Sequence, residues 1–319
     1  MKNKHGYRSP GAQLIHDGLM GCISSKCGDQ NKENLEAFNR ALSSASDEDI
    51  SELSINGDSV LIDILHLPRA IIESSSLPNK EQQIQHVTSQ LYNKLYARIR
   101  GNSKLIQYLW TIKNKAGFTP LHEALIAGNE ANLNLYLELL SQCTDQERIS
   151  VLTATNQAGF TPLHSALNKG NEANLNLYLN LLSECATQER ISVLTATNQA
   201  GFTPLHDALI AGNEANLNLY LELLSQCTDQ ERISVLTAAN QAGFTPLHQA
   251  LKEGNEANLK LYLKLLSQCT TPERISVLIA KNEAGFTPLH QALKEGNEAN
   301  LKRYLDLLSQ CADQERISV

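Results

Sequence analysis

Two residue types with chemical reach recur at a fixed interval: His122, His164, His206, His248 and His290, and Cys143, Cys185, Cys227, Cys269 and Cys311. A row of imidazoles is a candidate for metal binding or general base catalysis, and a thiolate beside an imidazole is a nucleophile. The spacing speaks against both. Packed helical layers lie roughly 10 Å apart, whereas zinc holds its ligands at about 2 Å, so neighbouring repeats cannot share a metal. No cysteine stands beside a histidine in a catalytic pattern, and there is no glycine-rich phosphate loop or paired-carboxylate motif. A non-catalytic chain without metal or cofactor is the expectation. The Glu-Arg of each ERISV segment reads as a solvated or inter-repeat ion pair. The cysteines read as small apolar residues closing a helix.

Another chemical motif lies near the N-terminus, Met20-Gly21-Cys22-Ile23-Ser24-Ser25-Lys26. Read from Met20, it offers Gly21 for myristate and Cys22 for palmitate, two lipids that together anchor where one does not. Gly21 is internal unless translation starts at Met20 or the preceding segment is removed. The alternative is a flexible leader with an incidental match. Cys22 and Cys27 lack the second ligand pair that a zinc site needs.

What positions the recurrent residues is a repeat. AGFTPLH occurs with its phenylalanine at 118, 160, 202, 244 and 286, and each copy continues as GFTPLHxALxxGNEANLxLYLxLLSxC and ends in ERISV. Near-identity over five copies demands a repeat architecture. In the first copy Thr119 is placed to cap a helix with Pro120 at its first position, and Gly128 to end it in a left-handed conformation. The second helix sets Leu133, Tyr136, Leu137 and Leu140 on one stripe with Leu135 and Leu139 beside it, leaving Asn134, Glu138 and Ser141 polar. An apolar arc that wide predicts contact on two sides. A short third helix is expected to start at Asp145, Thr187, Asp229, Thr271 and Asp313 as N-caps, with Pro272 at the first helical position of the fourth copy. Ile149 and Leu152 then face inward, and Thr153 to Gly159 form the connecting turn.

The run Gly117-Phe118-Thr119-Pro120-Leu121-His122-Glu123-Ala124, followed by Gly128-Asn129, resembles the ankyrin repeat, whose signature is T-P-L-H-x-A on the first of two helices. The resemblance runs from Asn114 to Val319 in five copies. Ankyrin repeats have a period of about 33 residues; of the nine extra residues in each copy here, about three fall in the second helix and six after it. The implied fold is an all-α, ankyrin-like helical solenoid of five long repeats in a three-helix variant. The family resemblance further implies that each histidine ties its turn to the neighbouring repeat by hydrogen bonds. Long, nearly identical arrays of this kind also look like those of effector proteins that bacteria deliver into eukaryotic cells, which implies a host protein partner met in the host cytosol.

Three regions are expected: a flexible leader over 1–33, a helical N-terminal cap with a degenerate repeat over 34–113, and the five repeats over 114–319. In the cap, Leu35, Phe38 and Leu42 echo Leu133, Tyr136 and Leu140, and Asp47 echoes Asp145. Lys80 to Lys113 reads as further helix, with Leu91, Tyr92, Leu95 and Ile99 at helical spacing. Leu135, Leu177, Leu219 and Leu261 share one repeat position, and Arg303 replaces them in the last copy, as expected where an array ends.

Comparing the five copies separates constant positions from variable ones. After the histidine come Glu123, Ser165, Asp207, Gln249 and Gln291. Before the glycine come Ile126-Ala127, Asn168-Lys169, Ile210-Ala211, Lys252-Glu253 and Lys294-Glu295. By the ankyrin resemblance these line a concave face that takes a protein partner, against drift on a solvated surface as the plain alternative. Ile126 and Ile210 stand out as expected exposed apolar anchors. Composition narrows the partner. With 27 Lys plus Arg against 34 Asp plus Glu, the chain carries a net charge of −7, and the segment from Asn114 holds 14 basic and 22 acidic residues. That balance excludes general nucleic-acid binding. Odd, repeat-linked cysteines point to a reducing, cytoplasmic setting, with membrane association only through lipidation at Gly21 and Cys22. A monomer is expected. The competing readings are an enzyme within the first 113 residues, or a membrane-tethered adaptor, whose repeats select the target.

Overall fold

The computed structural model describes residues 10, 12–15, 17, 36–37, 40–46, 49, 94, 97, 102, 110–114 and 117–310, except 128–129, 212 and 254–255. The candidate lipidation residues Gly21 and Cys22, the helix expected over most of Lys80 to Lys113, Leu35, Phe38, Asp47 and Asp313 lie outside the described residues. Two compact units partition the chain, Met1–Gln157 and Ala158–Val319.

Each of the first four repeats folds as three helices because its sequence supplies three starts and three stops, and the described residues of the fifth give the first two. In the first unit these are α1 (Pro120–Ala127), α2 (Glu130–Ser141) and α3 (Asp145–Leu152). The second unit continues with α4 (Pro162–Lys169), α5 (Glu172–Glu184) and α6 (Thr187–Leu194), then α7 (Pro204–Ala211), α8 (Glu214–Gln226) and α9 (Asp229–Leu236). Its remaining helices are α10 (Pro246–Glu253), α11 (Glu256–Gln268), α12 (Thr271–Leu278), α13 (Pro288–Glu295) and α14 (Glu298–Gln310). No strand occurs among the described residues. Within the second unit, first helices stack on first helices, second on second and third on third, which makes a helical solenoid.

Thr161 and Thr287 cap α4 and α13 with proline at the next position, and the reciprocal bond of each capping box comes from the histidine three residues on. Asn171 and Asn213 cap α5 and α8, accepting from the Asn174 and Asn216 backbone N–H groups. The third helix starts differently from expectation. Its N-cap is Thr144, Thr228 or Thr270, one residue earlier than Asp145, Asp229 or Thr271. The reason is the Thr-x-x-Glu spacing: Glu147, Glu231 and Glu273 reach back to the threonine N–H while its hydroxyl faces theirs, a reciprocal box that an Asp one residue later cannot close. Pro272 accordingly sits at the second helical position. Ala186 holds the cap site of α6 and makes no side-chain cap bond. Ala186→Thr should therefore stabilise the second unit by about 1 kcal/mol, read as a higher urea midpoint at unchanged slope.

The first helix ends in two ways. Gly296 takes the expected left-handed conformation, φ 68°, but Gly170 is extended, φ −67° and ψ 151°. Inward-facing residues of the third helix are Val151 and Leu152, with Ile149 half-buried, so the valine was missed.

The glycine before each phenylalanine takes a positive φ, and all of them but Gly285 also lie against the next turn. Gly201 has φ 77°, and a Cβ there would meet the backbone N of Gln241 in the next repeat at 2.6 Å. Gly285 has φ 79° with nothing within 4 Å of such a Cβ. Gly201→Ala should cost about 2–3 kcal/mol and Gly285→Ala about 1 kcal/mol, a difference that chemical denaturation of the two variants measures.

In the first unit, Trp110 is buried with its ring edge-on to Tyr136, the centroids 5.0 Å apart. Residues 40–44 are helical, Leu42 and Ala45 are buried, and Ser46 and Asp49 form a reciprocal box like that of Thr144 and Glu147. This is the local form of a repeat's second helix leading into its third. Within the segment expected as a leader, residues 12–15 are helical with Ala12 and Ile15 fully buried.

Candidate partner-binding face

Three of the recurrent histidines, His164, His206 and His248, are used in holding repeats together. His206 Nδ1 accepts from the Thr203 backbone N–H at 3.2 Å and lies 2.8 Å from its hydroxyl, while Nε2 lies 2.9 Å from the Phe244 carbonyl. His164 repeats this with Thr161 and Phe202, and His248 with Thr245 and Phe286. A backbone N–H only donates and a carbonyl only accepts, so these contacts select the neutral Nε2–H tautomer. Burial lowers the pKa of His164 and His206 to about 4, although the carbonyl bond itself favours the charged form. A second proton would also face a donor at Nδ1. Each of these nitrogens is therefore engaged, leaving no lone pair for a metal.

The Glu-Arg pairs are likewise structural, and they run between repeats. Arg190 Nε donates to Glu231 at 2.8 Å and Arg232 Nε to Glu273 at 2.7 Å, with both carboxylates fully buried. Burial raises the Glu273 carboxyl, and its bonds to Arg232 and Thr270 overcome that and hold it below the usual carboxylate range. A solvated pair is thus excluded at these sites. Sequence reading missed a third ladder: Asn216 Nδ2 donates to the carbonyls of Ala166 and Gly170 in the preceding repeat, and Asn258 to that of Ala208. Its only sequence signal was an asparagine constant within NEAN, amid otherwise apolar buried positions. Cys143, Cys185, Cys227 and Cys269 are buried free thiols at the second-helix ends, and burial pushes Cys269 up to about 11, out of the reactive range.

The variable positions divide into two groups. Those after the histidine are not exposed, contrary to expectation: Ser165 and Asp207 are each 8% exposed, Gln249 3% and Gln291 1%, with Glu123 half-buried. They sit where first helices pack against each other and against the preceding turn. Asn198 Nδ2 donates to Asp207 at 3.1 Å, and Asn114 to Glu123 at 2.9 Å. Burial raises the Asp207 carboxyl to about 6 despite the Asn198 bond. Those before the glycine are accessible: Lys169, Lys252, Lys294 and Glu295 are exposed, and Ile126, Asn168 and Ile210 half-buried. The side chains of Ala127, Ala211 and Glu253 lie outside the described residues. Lys252 and Lys294 extend over Phe244 and Phe286, 5.9 and 5.6 Å from the ring centroids. Stacked first helices thus present one continuous row in the second unit, running Asn168-Lys169, Ile210, Lys252 and Lys294-Glu295.

No protein-family model matches the chain, and no curated protein is similar to it. Solved structures to which the chain is similar include the ankyrin repeat domain of Bcl-3, described as a unique member of the IkappaB protein family. The match covers 73% of this chain and 83% of that one, at 21% identity and a TM-score of 0.44.

Proposed function

We propose that this chain is a non-catalytic scaffold that holds a partner protein on the accessible ends of its first helices. One observation carries the reading. His164, His206, His248, the Glu-Arg pairs and the thiols, residues able to do chemistry, are buried within and between repeats, while the accessible first-helix ends differ from copy to copy. A rigid backbone that varies its chemistry on one row of side chains is built to recognise a surface. In the second unit the row joins an apolar residue, Ile210, to amides and charges, a mix suited to a protein surface with one apolar protrusion. Ile126 offers the same apolar contact in the first unit. Asp207, Ser165, Gln249 and Gln291, being buried, act in this reading by setting how the row is held.

The resemblance of the long, near-identical repeats to those of bacterial effectors supports a eukaryotic protein as the partner and the host cytosol as the place of action. The test is an affinity capture from eukaryotic lysate with the native chain, Ile210→Arg and Ile126→Arg, each first shown to be equally helical. The expected result is a partner retained by the native chain and lost with Ile210→Arg. A partner held equally by all three chains would move the site off the first helices.

A further inference from the structure

The second helices change character along the chain. At two outer positions one turn apart, the first three repeats carry Asn134 and Glu138, Asn176 and Asn180, and Asn218 and Glu222; the fourth carries Lys260 and Lys264. A second change accompanies it. Leu177, Leu219 and Leu261, half-buried at one repeat position, give way to Arg303. Helices α11 and α14 pack side by side, and a groove of about 280 Å³ runs between them. Leu263 and Leu307 form its floor; Lys260, Lys264 and Arg303 line it as cations, with Asp306 as the opposing carboxylate. Arg303 Nη2 pairs with Glu256, but its Nε–H is buried without an acceptor among the described residues. The Arg303 side chain as a whole is 33% exposed, so its guanidinium can meet an anionic oxygen there.

We propose that this groove binds a short acidic peptide segment of a partner protein, distinct from the first-helix row. Apolar side chains of the segment rest on Leu263 and Leu307, and its carboxylates meet Lys260, Lys264 and the Arg303 guanidinium. Charge decides the class of partner: three cations gather on one face of a chain whose net charge is −7. A nucleic acid would leave the apolar floor of Leu263 and Leu307 unused. The groove's volume suits two or three side chains, which fits a peptide motif better than a broad protein face.

The test uses the full chain and two fluorescein-labelled synthetic peptides, EDLLEEDLLE and its uncharged counterpart QNLLQQNLLQ, followed by fluorescence anisotropy. Two variants report on the groove. Lys260→Glu with Lys264→Glu reverses exposed charges. Arg303→Leu restores the residue of the other four copies and so keeps the fold. The acidic peptide should bind the native chain, weaken with added salt, and lose about tenfold or more in affinity with either variant, while the uncharged peptide binds at least about tenfold more weakly. Equal binding of the two peptides, no binding of either, or binding undiminished in both variants would overturn the proposal. Self-association of the native chain in sedimentation, lost in the same variants, would overturn it in favour of a second copy as the occupant.

Discussion

His206→Ala should lower the stability of the second unit by about 3–4 kcal/mol, whereas His290→Ala should cost only about 1 kcal/mol. His206 is fully buried and bridges two repeats: its Nδ1 takes the Thr203 N–H, and its Nε2–H donates to the Phe244 carbonyl. Truncation leaves a cavity and orphans one donor and one acceptor where water does not reach. His290 keeps the bond to Thr287, but its residue is exposed and no comparable carbonyl contact is made among the described residues. Removing it costs a cap and little else. Urea unfolding of both variants gives the difference. Amide exchange should show the His206→Ala defect concentrated at the junction between the second-unit repeats that contain Phe202 and Phe244, because stability in a stack of repeats is local to neighbouring interfaces. Equal costs at the two positions would remove the inter-repeat role assigned to the histidine.

Acidification should destabilise the second unit by about 3 kcal/mol between pH 7 and pH 4.5. The sign follows from the histidines. His164 and His206 titrate near 4 in the folded chain because burial excludes the charged form, and at their ordinary value when unfolded. The unfolded state therefore takes up protons first as pH falls below about 6.5, and the stability present above that value is lost down to about pH 4. Each histidine contributes about 3 kcal/mol over the full window. Asp207 opposes them: its carboxyl is raised to about 6, so its cost is present above that pH and is relieved as pH falls. Two histidines against one aspartate leave a net loss, and His248, also lowered by burial, adds to it. Thermal melts across this pH range measure the slope. Asp207→Asn should steepen the loss, since it removes the one group that gains from acid. A melting temperature flat from pH 7 to 4.5 would show that these imidazoles are charged in the folded state.

Both predictions rest on contacts that a linear reading could only half foresee. The repeat period, the Thr-Pro helix start and the broad apolar arc of the second helix were legible in the residues, and the structural part played by the histidines was implied by the ankyrin resemblance. Each is a local regularity, or one that recurs with the period. Helix caps need partners three residues away, and near-identical copies announce their own stacking. Even so, the third helix was placed one residue late, because Asp at the following position was read in place of the Thr-x-x-Glu box that closes around Thr144, Thr228 and Thr270.

What tertiary structure alone decided is which face each recurrent residue turns to. Periodicity marks a side chain that meets the next repeat and one that meets solvent with the same 42-residue signal. Variation between copies suggested that Asp207, Gln249 and Gln291 were exposed; packing of first helix on first helix buries them. For the Glu-Arg pairs the sequence left a solvated and an inter-repeat pairing open, and the stack decides it: Arg190 and Arg232 reach glutamates 41 residues ahead. Asn216 seemed an ordinary helix residue until the stack brought the carbonyls of Ala166 and Gly170, 50 and 46 residues back, within hydrogen-bond reach. Such partners are far apart along the chain and close in space only because the layers are stacked, so sequence by itself determined the unit and its period, and the stacking determined which of its residues remain available to a partner.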